Sequence, residues 1–183
     1  MSFEFIELEI PGLYKIKFSS FNDGRGFFSE LYKFSAFDEF LGCNFVQDNI
    51  SYSKKNVIRG LHFQTEPFEQ GKLVGVISGK IFDVAVDIRP KSETFGKYKS
   101  LILDQSDNTL FYIPAGFAHG FCALSENTIV HYKCTSEYSK ENERGILWND
   151  SELNINWPVS NPTLSEKDSK YPSMNVLFKS RLI

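Results

Sequence analysis

A chain of 183 residues has room for one domain with a buried core, and its 42% hydrophobic and 23% charged residues exclude an unstructured polymer. A formal net charge of −3 excludes a broad electrostatic attraction to nucleic acid, so any phosphate it binds must meet a local cluster of Arg and Lys. The 18 Phe and 8 Tyr favour a β-rich architecture.

Cys43, Cys122 and Cys134 are odd in number and lack a CxxC spacing, so they read as free thiols in a reducing compartment. Met1 to Pro11 carries acidic residues and no signal-like apolar run, and no apolar stretch reaches membrane-spanning length. The expectation is one cytoplasmic domain over residues 1–183, with neither a membrane nor a nucleic-acid partner.

In chain order, Gly12 to Phe18 alternates as a strand does. Asn22-Asp23-Gly24-Arg25-Gly26 is a turn signal, and Phe27 to Tyr32 follows it. Taken alone, Arg25 between two glycines favours a solvated turn, although the glycines would also let a phosphate approach the guanidinium. Ser35 to Leu41 predicts the one convincing short helix, with Ser35 as N-cap and Gly42 at its C-terminal end. Phe45 to Tyr52 predicts a strand whose Gln47, Asn49 and Ser51 share a face, lining a cavity or meeting solvent.

Val57 to Gln64 is the stretch around which the chain is organised. It reads as a strand with His62 and Gln64 on one face and Leu61 and Phe63 on the other. His62 lies between two cations in sequence, Arg59 and Lys72. Leu73 to Ile77 and Lys80 to Arg89 predict two strands joined as a hairpin across Ser78-Gly79. Further strands are predicted over Tyr98 to Leu103, Leu110 to Ile113, Gly120 to Ala123 and Thr128 to Thr135. Short strands punctuated by Gly, Pro, Asn and Ser predict an all-β sandwich or barrel, with the jelly roll a strong candidate. After Trp148 the chain becomes loop-like, and its tail must dock on the β core to be ordered.

Two motifs carry potential chemistry. Pro114 to Gly120 resembles the second metal-binding motif of cupins, with His119 entering a strand. The first cupin motif needs two histidines one residue apart, and here that pair reads His62-Phe63-Gln64. Gln is a poor metal ligand, so the expectation is no metal. Without one, His62 can accept a proton near neutral pH, given a carboxylate on its second nitrogen; spacing does not choose among Asp83, Asp87 and Asp168. Tyr132 is a candidate acid, and His131, of opposite strand parity, should point elsewhere.

The strings Arg59-Gly60-Leu61-His62-Phe63-Gln64, Gln70-Gly71-Lys72-Leu73-Val74, Ile81 to Asp87 and Ile113 to Phe121 together resemble the dTDP-4-dehydrorhamnose 3,5-epimerase family. Tyr132 to Thr135, Trp148-Asn149-Asp150 and Leu164 to Asp168 add to the match, which runs roughly from Pro11 to Pro172. The resemblance implies a cupin-type jelly roll with a few short helices, a homodimer to which N-terminal strands contribute, and a tail over 158–183 packed on the barrel. It implies no cofactor and a nucleotide-linked 4-keto-6-deoxyhexose, inverted at C3 and C5 through an enolate. By motif match His62 is the base, Asp168 its partner and Tyr132 the proton donor, with Lys72 beside the enolate oxygen. Arg25, Glu30, Gln47, Asp48, Asn49, Arg59, His119, Glu143 and Lys167 fall at nucleotide-sugar contacts, and Tyr138 at the aromatic that stacks on the base. Glu66 and Glu69, in a loop that departs from the family pattern, read as solvated. Strict alternation sets Arg59 and His62 on opposite faces, which a bulge at Gly60 or a dimer contact would reconcile. The alternatives are a single-site epimerase, a non-catalytic sugar-binding cupin and a metal-dependent cupin oxygenase.

Overall fold

A computed structural model describes residues 3–179; positions 1–2 of the expected domain and 180–183 of the expected tail lie outside the described residues. In chain order the first elements are β1 (Phe3–Glu7), β2 (Tyr14–Phe18), β3 (Ser20–Asp23), β4 (Gly26–Ser29), α1 (Phe34–Leu41) and β5 (Gln47–Ser53). Then follow β6 (Ile58–Gln64), β7 (Lys72–Ser78), β8 (Lys80–Asp87), β9 (Tyr98–Asp104) and β10 (Thr109–Ile113). The last are β11 (Phe117–Ala123), β12 (Thr128–Cys134), β13 (Glu143–Gly145) and α2 (Met174–Phe178), with a 3-10 turn over Asp168–Lys170 before α2.

Two antiparallel sheets face each other in a cupin-type jelly roll. One has the order β1-β2-β10-β7-β12-β5 and the other β13-β6-β11-β8-β9, while β3 and β4 form a separate hairpin. Alternation along the strands divides the apolar residues among three layers. Val74, Ile81, Ala85, Phe111, Phe121 and Val130 pack between the sheets. Outside the first sheet, α1 buries Phe37 against Ile16, Leu73 and Leu110. Outside the second, Met174 and Phe178 of the tail cover Leu61, Val84 and Ala118. Each of these central strands is therefore buried on both faces.

Three local expectations are corrected. The helix starts after Lys33 without a side-chain cap, so Ser35 lies in its first turn; Gly42 closes it as expected, with φ 63° and its N–H donated to Asp38 O. The Ser78-Gly79 reversal does not make a hairpin. Strand β7 pairs with β10 and β12, whereas β8 pairs with β11 and β9. The turn is a corner at which the chain changes sheets, and a turn dipeptide encodes a reversal without choosing a partner. Strands β1, β3, β4 and β13 went unpredicted: Phe3–Glu7 pairs along β2, β3 and β4 pair across the predicted turn, and Glu143–Gly145 is too short to show alternation.

The bulge reconciles Arg59 with His62. His62 pairs with His119 and Arg59 with Phe121, so three steps on β6 match two on β11. Gly60 takes the extra step at φ 139°, and a Cβ there would collide with the Gly120 backbone. Gly60→Ala is therefore expected to lower unfolding free energy by about 2 kcal/mol or more, as measured by urea denaturation. An unchanged midpoint would show that the bulge tolerates a side chain.

Candidate active site

The interior is apolar at one end and polar at the other. Strand β6 supplies His62 and Gln64, β7 Lys72, β8 Asp83, β11 His119, and β12 Tyr132. Two hollows of about 290 and 420 Å³ share His62, Lys72, Tyr132 and Glu143 in their walls. Gln47, Asn49, Cys134 and Tyr138 line the first, and Arg59, His119, Lys167 and Asp168 line the second. Together they have the size of a small-molecule site. The sheets supply opposite walls: His62 comes from one, while Lys72 and Tyr132 come from the other.

The structure chooses among the three candidate aspartates by giving each a different partner. Asp168 Oδ1 lies 2.7 Å from His62 Nε2. Asp83 Oδ1 lies 2.7 Å from His119 Nε2, and Asp87 binds Arg89, Ser92 and Thr94. Burial works to raise the Asp87 carboxyl, yet these partners hold it down at about 2.

For Asp168, burial again works upward, but the His62 bond and charge, Ser165 and Lys167 leave its pKa lowered. The carboxylate can then only accept, so His62 Nε2 carries the hydrogen and donates it. Nδ1 is left as the free acceptor. Burial lowers the His62 pKa, aided by Lys72 and Lys167 and opposed by Asp168, so the ring is neutral at neutral pH. Burial also lowers the pKa of Lys72, against the pull of Cys134, Asp83 and Glu143. For Tyr132, burial raises the pKa and keeps the phenol protonated. The cavity thus holds a proton acceptor, a phenol that retains its proton and a buried amine.

Of the sequence-predicted contacts, Gln47, Asn49, Arg59, His119, Tyr138, Glu143 and Lys167 reach the two hollows. Lys167 donates to Glu143 at 2.7 Å, and Tyr138 donates to the same carboxylate at 3.0 Å. Asp48 does not join them. Strand alternation turns it to the outer face, where Lys133 and His131 donate to it at 2.8 and 2.9 Å; His131 accordingly points away from the cavity. Arg25 and Glu30 stay away as well. Arg25 sits on the β3–β4 hairpin, 91% exposed and paired with Asp23, beside a separate hollow lined by Phe21, Phe27 and Phe28. Glu30 follows β4 on the same arm.

Gln64, which replaces a cupin histidine, is fully engaged. Its amide donates to Phe68 O and Glu137 O, and its oxygen accepts the Ser139 N–H, tying two loops together. Among the described residues no three His, Cys, Asp or Glu side chains gather as a metal-binding group. Ser51 lines the cavity on the face that alternation gives it with Gln47 and Asn49, while Cys134, which sequence reasoning did not put forward, shares strand parity with Tyr132. That alternation was the available signal.

The family model described as dTDP-4-dehydrorhamnose 3,5-epimerase matches residues 7–175. The chain belongs to this family. A Shigella flexneri dTDP-4-dehydrorhamnose 3,5-epimerase is 51% identical over 165 residues, covering 89% of this chain and 91% of the relative. The Escherichia coli K12 enzyme of the same name is 45% identical over 181 residues, covering 97% and 98%. A solved Legionella pneumophila dTDP-6-deoxy-D-glucose-3,5-epimerase, in complex with dTDP-4-keto-L-rhamnose, superposes with a TM-score of 0.93 at 42% identity, covering 98% of this chain and 96% of that one.

The dyad of this epimerase-family chain carries a stability signature. His62 and Asp168 both have folded pKa values below their ordinary ones. As pH falls, the unfolded chain takes up these protons first, so both contributions are present at neutral pH and are lost on acidification. For His62 the loss sets in below about 6.5, the ordinary imidazole value. His62→Asn should flatten the fall in urea-measured stability between about pH 6.5 and 5. An unaltered slope in that interval would assign it to other groups.

Proposed function

We propose that this protein is an isomerase that inverts C3 and C5 of a dTDP-linked 4-keto-6-deoxyhexose, converting dTDP-4-dehydro-6-deoxyglucose to dTDP-4-dehydro-L-rhamnose. One observation carries the mechanism: a carboxylate-backed imidazole on one wall of the cavity, with a protonated phenol and a buried amine on the other. The 4-keto group makes the C3 and C5 hydrogens acidic, because the carbanion delocalises into an enolate. His62 Nδ1 takes such a proton while Nε2–H remains on Asp168, which steadies the imidazolium as it forms. Lys72 neutralises the enolate oxygen, where charge appears only as the reaction proceeds. Tyr132 returns a proton from the opposite face, and that change of face is the inversion. The phenolate then regains a proton from solvent and His62 releases the one it took, so both groups are reset before the second carbon reacts. No cofactor or metal is needed, since every charge that develops meets a side chain.

Arg59 and Lys167 supply the local cations that a net-negative protein needs for a diphosphate, and Tyr138, largely exposed at the rim, suits stacking on a base. In the same reading the single domain with its docked tail works in the cytoplasm as a homodimer. The β3–β4 arm presents Phe21, Phe27 and Phe28 to solvent, and Ile50 and Ile77 are exposed on the first sheet, an apolar area suited to a second copy. An arm laid across a partner would deliver Arg25 and Glu30 to the partner's site.

In heavy water the wild type should place deuterium at both C3 and C5, and His62→Ala should abolish exchange at both. Tyr132→Phe should reduce inversion by ~10²–10⁴ while sparing proton removal. Labelling at one carbon only would select a single-site epimerase, and no exchange at all would leave a binding protein. For the dimer, mixing inactive Arg25→Ala with inactive His62→Ala subunits should restore partial turnover, because one hybrid site receives neither lesion. If no activity returns after verified subunit exchange, Arg25 acts within its own subunit.

A further inference from the structure

Asp168 reaches His62 from the tail, which is held upstream where Thr163 exchanges backbone hydrogen bonds with Asn56 and Ile58, and downstream where it docks on the short strand β13. Three alternate positions, 143 and 145 in β13 and 147 just beyond it, each hold a tail residue. Glu143 accepts from Lys167 at 2.7 Å, and the Leu147 N–H donates to Pro172 O at 2.9 Å. Between them lies Gly145, where a Cβ would overlap the ring of Tyr171. Gly145 is also the residue paired with His62 across the β13–β6 ladder. The missing side chain opens a slot beside His62, and the Tyr171 ring fills it. Its centroid lies 5.7 Å from the His62 ring, edge to face at 67°. Tyr171 immediately follows the 3-10 turn that presents Asp168, so seating the ring fixes the turn.

The geometry points to Tyr171 as a positioning residue: its ring, held in the slot that Gly145 leaves open, sets Asp168 at hydrogen-bond distance from His62. This inference rests on the proposed role of the His62–Asp168 dyad. The other hold on Asp168 within the turn is local, its N–H donating to Ser165 Oγ at 3.0 Å. That bond orients the turn but does not attach it to β6 or β13. Lys167–Glu143 is an attachment, but an ion pair between long side chains allows more travel than a ring wedged against backbone. The Tyr171 hydroxyl is not required for the wedge, which makes a specific demand on the conservative variant.

The test is a double-mutant cycle read on the His62 pKa by NMR and, in parallel, on kcat. In the wild-type background, Asp168→Asn should shift the His62 pKa downward, because the carboxylate that favours the imidazolium is gone. In the Tyr171→Ala background the same replacement should produce less than about half that shift, because Asp168 is already displaced. Tyr171→Ala should cut kcat by ~10²-fold with little change in KM, and Tyr171→Phe should restore both readouts. Gly145→Ala evicts the ring without altering it and should give the same collapse, so the cycle survives if Tyr171→Ala fails to fold. Equal Asp168→Asn shifts in both backgrounds would overturn the assignment. So would a Tyr171→Phe variant as impaired as Tyr171→Ala. The NMR arm does not depend on turnover, so an inactive wild type with the expected collapse would sink the proposed function alone.

Discussion

The hydrogen bond from His62 Nε2 to Asp168 Oδ1 joins residues 106 positions apart at 2.7 Å, and the other features of the site depend on it. A neutral imidazole buried in a barrel has two interchangeable nitrogens, and an ionised carboxylate on one of them decides which is free. Without Asp168 the lowered pKa of His62 would describe only a desolvated base. With it, the proton taken up has a defined place and a counter-charge. Closing so long a loop costs conformational entropy, and the cost is offset along the tail by Trp157, Met174 and Phe178 packed on the outer face of the second sheet.

The jelly roll makes this site possible by giving each wall to a different sheet. Proton removal and proton return on opposite faces of a sugar require groups that cannot swing from one side to the other. Strands in opposed, fully packed sheets provide that separation. The bulge at Gly60 then adds a cation to the wall that carries His62, bringing Arg59 into line with it where strict alternation would turn it away. Gln64 contributes differently. Its amide is spent on the Phe68, Glu137 and Ser139 backbone, so the position that would hold a cupin metal ligand instead braces the rim.

Electrostatics explains how a chain of net charge −3 can offer a site for a diphosphate. Acidic groups near the cavity are already committed: Asp168 to His62, Asp83 to His119, and Glu143 to Lys167 and Tyr138. Arg59 spends two of its donors on Ser53 and the Tyr52 carbonyl, neither of which carries charge, so its own charge is left for a ligand. Of the two acidic loop residues Glu66 is exposed and Glu69 half-buried, and both line a separate hollow that borders Phe63 and Gln64.

Strand periodicity carried much of this site in the sequence. Alternation placed Gln47, Asn49 and Ser51 on one face and His62 opposite Leu61, and it turned His131 away from Tyr132. It rests on local backbone geometry, which nearest neighbours dictate. Motif matching carried the family and the dyad partner. What alternation did not reach is where partners are chosen at long range. The Ser78-Gly79 corner looked like a hairpin because a turn is local and sheet membership is not. Asp48 was grouped with its ligand-facing neighbours, yet parity and two basic residues of β12 hold it outside. Arg25 and Glu30 were matched to ligand positions, but the arm that bears them stands clear of the cavity in a single chain. Strand parity and motif order therefore determined most of the polar side chains that line the cavity. The tertiary structure decided which aspartate serves which histidine, because that depends on where a distant tail finds an empty slot beside a strand.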